Sequence, residues 1–430
     1  MDTSSPKLKR RSPRRSASAL MMTVVIAAFA GVVALLWELE RDPVMNIPTH
    51  TVPSPNALDD FARAGKLIPD VNIVNGPGGR GVSRALGLSA ATQNRVVRDN
   101  APALAALRQG LTRPYMTPPE RSSTATFDYV VDDRRLARLL ALQADIQAAH
   151  GDWAASAQTS LDGMQLGEDV PRGGILIHML VGVAIDAIVR EPLMRSVDHL
   201  DLAGTRAALH RLQKIDANAQ PYAPILQEEE WSMQAGLLEM YQKPNWRRDI
   251  LQNGGFGTSP TDLKTRMAVA MTSKRQVMNN FTKYMDGQIA GARAHRPPTP
   301  FDYAAADPFL QVLAPIYTGT ATRYHDNRTQ NAFLEVELAL HAYLLQHHQY
   351  PETLADLTPD LLPAVPGDPF AFGKPVRYQK TANSYVLYSV GPDGVDDGGK
   401  AIQDPNRRNG PKRPVVEPQN KGDVVAGVNF

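Results

Sequence analysis

DRRLARLLALQADIQAAHGDWAASAQTSLDGMQLG, residues Asp133–Gly167, decides the fold class. Leu136, Leu139, Leu140 and Ala144 recur at i, i+3, i+4 and onward, which lays one apolar stripe along a helix. Gly151 then supplies a stop, and Asp152 an N-cap for a second helix over Trp153–Leu166 that Gly167 closes. A helix pair with small residues inside and Gly-Asp at its turn looks like one tetratricopeptide unit. No second copy recurs at a fixed period, and stacked repeats need about three units for stability. The expectation is an array of αα-hairpins within a mainly α protein.

Working outward, Ile175–Val189 (ILIHMLVGVAIDAIV) is the most apolar stretch beyond the N-terminal region. A second membrane span would need about 20 residues and would bury His178 and Asp186 in lipid. The segment is therefore expected as the central helix of a soluble bundle. Leu202–Ala217, Ala223–Gln242 and Thr261–Ala294 continue the helical series. Pro221, Pro224, Pro244 and Gly254–Gly255 punctuate it, and residues 131–296 form the helical region. On the other side, residues 38–130 are a linker with short helical patterns at Asn56–Lys66 and Ala90–Gly110. The glycine-rich Asn75–Gly81 between them lacks the Lys-Ser or Lys-Thr of a phosphate loop and is expected as a flexible turn.

The chain has 430 residues, no cysteine and a net charge of +2. Absence of cysteine excludes a disulfide scaffold, a thiolate metal site and a cysteine nucleophile. The charge is unevenly placed. Residues 1–18 carry six cations against Asp2, a net of +5, so the remainder sums to −3. Ala19–Trp37 follows with 19 uncharged residues, enough for a helix of ~28 Å against a hydrocarbon core of ~30 Å. A single transmembrane anchor is expected there, with the basic tail inside and the rest outside. A cleaved signal peptide is the rival, with Ala28-Phe29-Ala30 as its small-x-small site, but cleavage there would leave GVVALLW at the new terminus. The basic excess is thus a topology signal, and no nucleic-acid partner is expected.

Candidate catalytic patterns are weak. Glu228, Glu229 and Glu230 are consecutive, point about 100° apart on a helix, and are expected as a solvated helix start. His150, His178, His199 and His210 form no HxxxH or HExxH pattern, and neither a GxSxG elbow nor a Ser-x-x-Lys element occurs. No catalytic or cofactor-binding residue is assigned, and the chain is expected not to be an enzyme.

The C-terminal part changes character. A long helix is expected over about Thr320–Gln349, after an irregular stretch containing Pro308 and Pro315, and ends at Tyr350-Pro351. A short helix at Thr353–Leu357 follows, then strands at Val376–Gln379 and Tyr385–Ser389 and a weak one near Pro414–Glu417. The motifs ALHAYLLQHHQYPETLADL, VPGDPFAFGKPVRY and YVLYSVGPDGVDDGG appear in that order. They carry Tyr350-Pro351, Asp368-Pro369-Phe370 with Gly373, and Ser389-Val390-Gly391-Pro392-Asp393-Gly394. This run, residues 318–402, resembles the globular domain of the major pseudopilin of type II secretion. The resemblance implies a pilin-like α+β domain, a long helix with a small antiparallel sheet. It departs from the family in lacking a prepilin-peptidase site before Ala19–Trp37. Processing as a filament subunit would show as a mass change with prepilin peptidase. Residues 403–430 are expected as a mostly flexible tail.

Pseudopilins of this kind bind calcium in the loop matching GPDGVDDGG. The resemblance therefore implies a structural calcium site at Asp393, Asp396 and Asp397, with main-chain oxygens near Leu387 or Ser389 adding more; a plain turn is the competing reading. The overall expectation is a membrane-anchored extracytoplasmic scaffold or assembly protein of the bacterial inner membrane, single-pass, with envelope protein partners. The alternative is an envelope hydrolase whose site lies in the helical region.

Overall fold

The computed structural model describes residues 14–68, 89–122, 124–248, 267, 271–296, 308–403 and 416–428 (in 14–19, 308–309 and 311–316 the main chain alone). Among these, the chain is mainly helical with one small antiparallel sheet. The glycine-rich Asn75–Gly81 lies outside the described residues. Contacts divide the chain into two units, residues 1–45 with 237–281, and residues 46–236 with 282–430.

In the first unit α1 spans Arg14–Glu40. Its portion Leu20–Glu40 is long and apolar enough to cross a membrane, and none of it is buried in the protein. The helix exceeds the expected Ala19–Trp37 because its polar ends continue the same backbone hydrogen bonding. Its last turn is tied by charge. The Glu40 carboxylate accepts from Trp246 Nε1 (3.1 Å) and from Arg247. Lys274 Nζ donates to Asp42 Oδ1 (2.8 Å), and Arg275 pairs with Glu38 (3.5 Å). The Arg41 guanidinium lies over the exposed Trp37 ring at 4.9 Å.

The second unit begins with α2 (Ala57–Lys66), capped by Asn56, whose Oδ1 accepts the Leu58 N–H. The short helical patterns expected over Ala90–Gly110 form α3 (Ala90–Asp99) and α4 (Ala101–Gly110), divided at Asn100. The hairpin α5 (Tyr129–Ala149) and α6 (Trp153–Asp169) turns at Gly151 (φ 80), and Asp152 Oδ1 caps the Ala155 N–H. Leu136, Leu139, Leu140 and Ala144 are fully buried, each leucine contributing about 1.5–3 kcal/mol over exposure.

Helix α6 does not stop at Gly167. It runs on because that glycine serves close approach: a Cβ there would stand 2.2 Å from Asp186 Oδ1, and one on Gly163 would stand 2.4 Å from Val189 Cγ1. Helix α7 (Leu176–Val197) packs on this face and passes through Pro192. Then come α8 (Leu202–Ala217), α9 (Tyr222–Tyr241) and α10 (Lys274–Arg293).

Helix α11 covers Pro308–His347, so Pro308 and Pro315 do not keep that stretch irregular. Pro308 opens the helix, where its missing N–H has no intrahelical acceptor; Pro315 lies further in, and the helix runs through it. The helix ends at His348, which is left-handed (φ 58). A 3₁₀ turn at Leu354–Leu357 follows. Strand β1 (Arg377–Lys380) pairs antiparallel with β2 (Tyr385–Ser389), Tyr378 opposite Leu387.

The third strand, β3, is Val424–Val425, with Val425 opposite Tyr388. It replaces the one expected near Pro414–Glu417, of which 414–415 lie outside the described residues. The tail expected to be mostly flexible is thus folded over 416–428. Val416, Val424 and Val425 are buried because β2 offers them a free edge and an apolar face.

Candidate functional site

The acidic turn after β2 is held by its own main chain. Asp393 Oδ1 accepts the Val395 N–H (3.2 Å). Asp396 Oδ1 accepts from Gly398 N (3.1 Å) and Tyr388 Oη (3.2 Å), and its Oδ2 accepts from Arg377 Nε (3.2 Å). The Gly398 N–H, with the Arg377 bond adding, holds the Asp396 carboxyl below its ordinary value. The Asp397 N–H donates to Asp423 Oδ1 (3.3 Å).

The Ser389 side chain is engaged outside this turn. It is fully buried and donates its hydroxyl to Asp368 Oδ1 (2.6 Å). Asp368 also accepts the N–H groups of Phe370 and Val390, pinning the proline-rich loop to the end of β2. Asp423, which sequence reasoning missed, is fully buried and takes the N–H groups of Asp397 and Gly399. Only the pairing of β3 brings it there. Among the described residues no three His, Asp or Glu side chains are gathered as a metal-holding group.

Glu228, Glu229 and Glu230 are not a solvated helix start; all three are largely buried. Glu228 accepts two bonds from Arg121 (2.7 and 2.8 Å), whose guanidinium also covers Trp231 at 5.0 Å. Glu229 accepts the Leu176 N–H at the start of α7 (3.0 Å), and burial raises its carboxyl. Glu230 accepts from Gln227 and Gln234 and is pushed up to about 7, first by burial and then by Asp286. A helix buried on several faces makes even consecutive residues find partners, which a one-face pattern cannot reveal.

A second polar cluster joins four helices. Glu168 Oε1 accepts from Arg328 Nη1 (2.5 Å) and Asn331 Nδ2 (3.0 Å), and Arg328 also binds Asp216. Asp186 Oδ2 accepts from Asn327 Nδ2 (2.7 Å). Arg190 Nη2 donates to Asn327 Oδ1 (2.5 Å) and Asn331 Oδ1 (2.7 Å). Burial pushes Glu168 up to about 7 against the pull of Arg328, and raises Asp186 against that of Arg190. Asp186 is only 1% exposed, while Asp216 at the edge of the cluster keeps 37% of its side chain open. The cluster cross-links α6, α7, α8 and α11.

Beside it opens a cleft of about 410 Å³. Its wall is aromatic. Tyr222 stacks on Tyr324 at 4.8 Å, and His325 meets Phe370 at 5.8 Å and Phe372 at 5.5 Å. Arg328 lies in the lining, already held by two carboxylates, while the exposed His295 and Arg296 at the end of α10 line it as well. The tyrosine hydroxyls are engaged, Tyr222 with Thr320 (3.2 Å) and Tyr324 with Gln220 O (3.3 Å). Burial, with His295 adding, lowers the His325 imidazole to about 4, so the ring is neutral at pH 7.

Sequence reasoning missed this site. Its one sequence signal is the run Arg323–Asn331 (RYHDNRTQN), which holds no aliphatic residue within the long helix α11. The arrangement offers aromatic surface, a neutral donor–acceptor ring and a cation, which suits binding. No protein-family model, curated protein or solved structure matches the chain.

Proposed function

We propose that this protein is a single-pass, membrane-anchored scaffold or docking protein of the bacterial inner membrane. Its basic tail faces the cytoplasm and its folded body lies outside. The observation that carries the reading is the wholly exposed apolar helix Leu20–Glu40 behind a +5 tail. The C-terminal unit is proposed to be pilin-like and to serve assembly with secretion or envelope partners. That reading is supported by α11 packing on β2, and by the bonds from Ser389 and Val390 to Asp368 and from Tyr378 Oη to Pro351 O (2.9 Å). A non-enzymatic role is proposed, supported by the engagement of Glu168, Glu228 and Asp368 with arginine, asparagine, serine and main-chain partners.

Affinity capture from detergent-solubilised membranes tests this. The protein is expected to resist alkaline carbonate extraction and to bring secretion-system components with it. Release by carbonate would overturn the anchor, and capture without such components would overturn the secretion context.

Calcium at Asp393, Asp396 and Asp397 is proposed as a structural ion, with main-chain oxygens near Leu387 or Ser389 as further ligands; the Ser389 hydroxyl itself is bonded to Asp368. Calcium is expected to raise the Tm of the parent and not of an Asp393→Ala, Asp396→Ala variant. An unchanged parent Tm removes the proposal.

A further inference from the structure

The cleft between α9, α10, α11 and the loop 367–373 holds two polar groups with unused capacity. The first is His325. Its ring is half-buried and lines the cleft, and among the described residues neither ring nitrogen meets a hydrogen-bond partner. A neutral imidazole carries one N–H donor and one acceptor nitrogen, and both are open to a ligand in the cleft. The second is Arg296, exposed at the rim, whose guanidinium has no ion pair or hydrogen bond among the described residues. Arg328, by contrast, is saturated by Glu168 and Asp216 and has no charge to spare.

Around these two groups stand Tyr222, Tyr324 and Phe372, faces and edges that favour another aromatic ring. The volume of about 410 Å³ falls in the range of small-ligand sites. It is too small for a secondary-structure element and ample for one large side chain. Buried aromatic anchors in pockets of this kind dominate many protein interfaces. A phosphate-rich ligand would call for several free cations, and among the described residues the cleft presents one.

We propose that this cleft receives an aromatic side chain, with a carboxylate beside it, from a partner protein. The ring packs on Tyr222, Tyr324 and Phe372 and hydrogen-bonds His325 through an indole N–H or a phenol, and the carboxylate forms a two-pronged pair with Arg296. The proposal deepens the docking reading and rests on it.

Isothermal titration of the full chain in detergent tests it with two probes, N-acetyltryptophan and its uncharged amide. N-acetyltryptophan is expected to bind saturably, and the amide about tenfold more weakly, the worth of one charge-assisted pair. Arg296→Ala should erase the difference between the probes. His325→Phe should weaken both, while His325→Gln, which keeps a donor and an acceptor, should retain most of the affinity. Thermal melts verify that each variant is folded. Absence of saturable binding overturns the proposal, as does binding that Arg296→Ala and His325→Phe leave unchanged. The titration needs no partner and no bilayer, so its failure is separable from failure of the anchoring or capture experiments.

Discussion

Leu20–Trp37 and Leu176–Val189 are both almost continuous apolar sequence, and both form helices, yet their surroundings are opposite. In α1 the apolar window is wholly exposed, and Gly31 has no neighbour within 4 Å of where a Cβ would stand. In α7, Leu176, Met179, Val181, Ile185 and Val189 are buried, and so are His178, Asp186 and Arg190. The polar groups mark the difference. His178 Nδ1 accepts the Ile175 N–H (3.1 Å), so its other nitrogen carries the proton toward Tyr129 Oη (2.7 Å). A helix that carries such groups needs a protein around it to supply partners, whereas a helix without them suits lipid.

The contrast can be broken most forcefully at Arg328, which supports α7's polar face through Glu168 and lies in the same cluster. Arg328→Ala strands buried carboxylates and is expected to cost about 3–5 kcal/mol of stability, read from urea denaturation. A loss below about 1 kcal/mol would mean that water already solvates the cluster.

Next in size, Val32→Arg on α1 should cost about 2.5–3.5 kcal/mol of membrane insertion while the body's urea midpoint stays in place. Carbonate extraction reads the first effect. A body that unfolds would mean that α1 packs as a core helix.

Smaller again is a glycine pair. Gly167→Ala places a Cβ on Asp186 and should destabilise by about 1–3 kcal/mol, whereas Gly31→Ala should leave stability unchanged. Equal effects on the urea midpoint would erase the distinction between the two helices.

The gentlest test uses pH. Asp133 on α5 is buried with Oδ2 unpartnered, and burial, with Asp132 adding, pushes its carboxyl up to about 8 from 3.8. The folded state therefore holds the proton more tightly than the unfolded chain. The stability from this group is fully present below about 3.8 and is lost as pH rises through about 8. Asp133→Asn lacks that dependence. Its stability relative to the parent should grow between pH 4 and pH 8, by at most about 1.4 kcal/mol per pH unit. Parallel urea midpoints across that window would mean that Asp133 is solvated.

Much of the fold was legible in the sequence. The stripe of Leu136, Leu139, Leu140 and Ala144, the Asp152 cap and strand Tyr385–Ser389 depend on residues within a few positions of one another, and they fall where periodicity puts them. Gly167 misled for a local reason: glycine signals a helix stop, but here it admits a neighbouring helix. Glu228–Glu230 misled because three consecutive acids suggest water unless partners from Arg121 and Leu176 are known. The cleft was illegible, since Tyr222, Arg296, His325 and Phe372 come from four segments far apart in sequence.

By itself, then, the sequence determined the helical character, the two apolar segments, the charge asymmetry between tail and body, and the central hairpin. These follow from local periodicity, length and composition. Tertiary structure alone decided which charges are buried, that residues 424–425 complete the sheet, and that a neutral His325 and Arg296, unpaired among the described residues, line one cleft. Such features depend on contacts between residues tens to hundreds of positions apart, and local pattern carries no record of them.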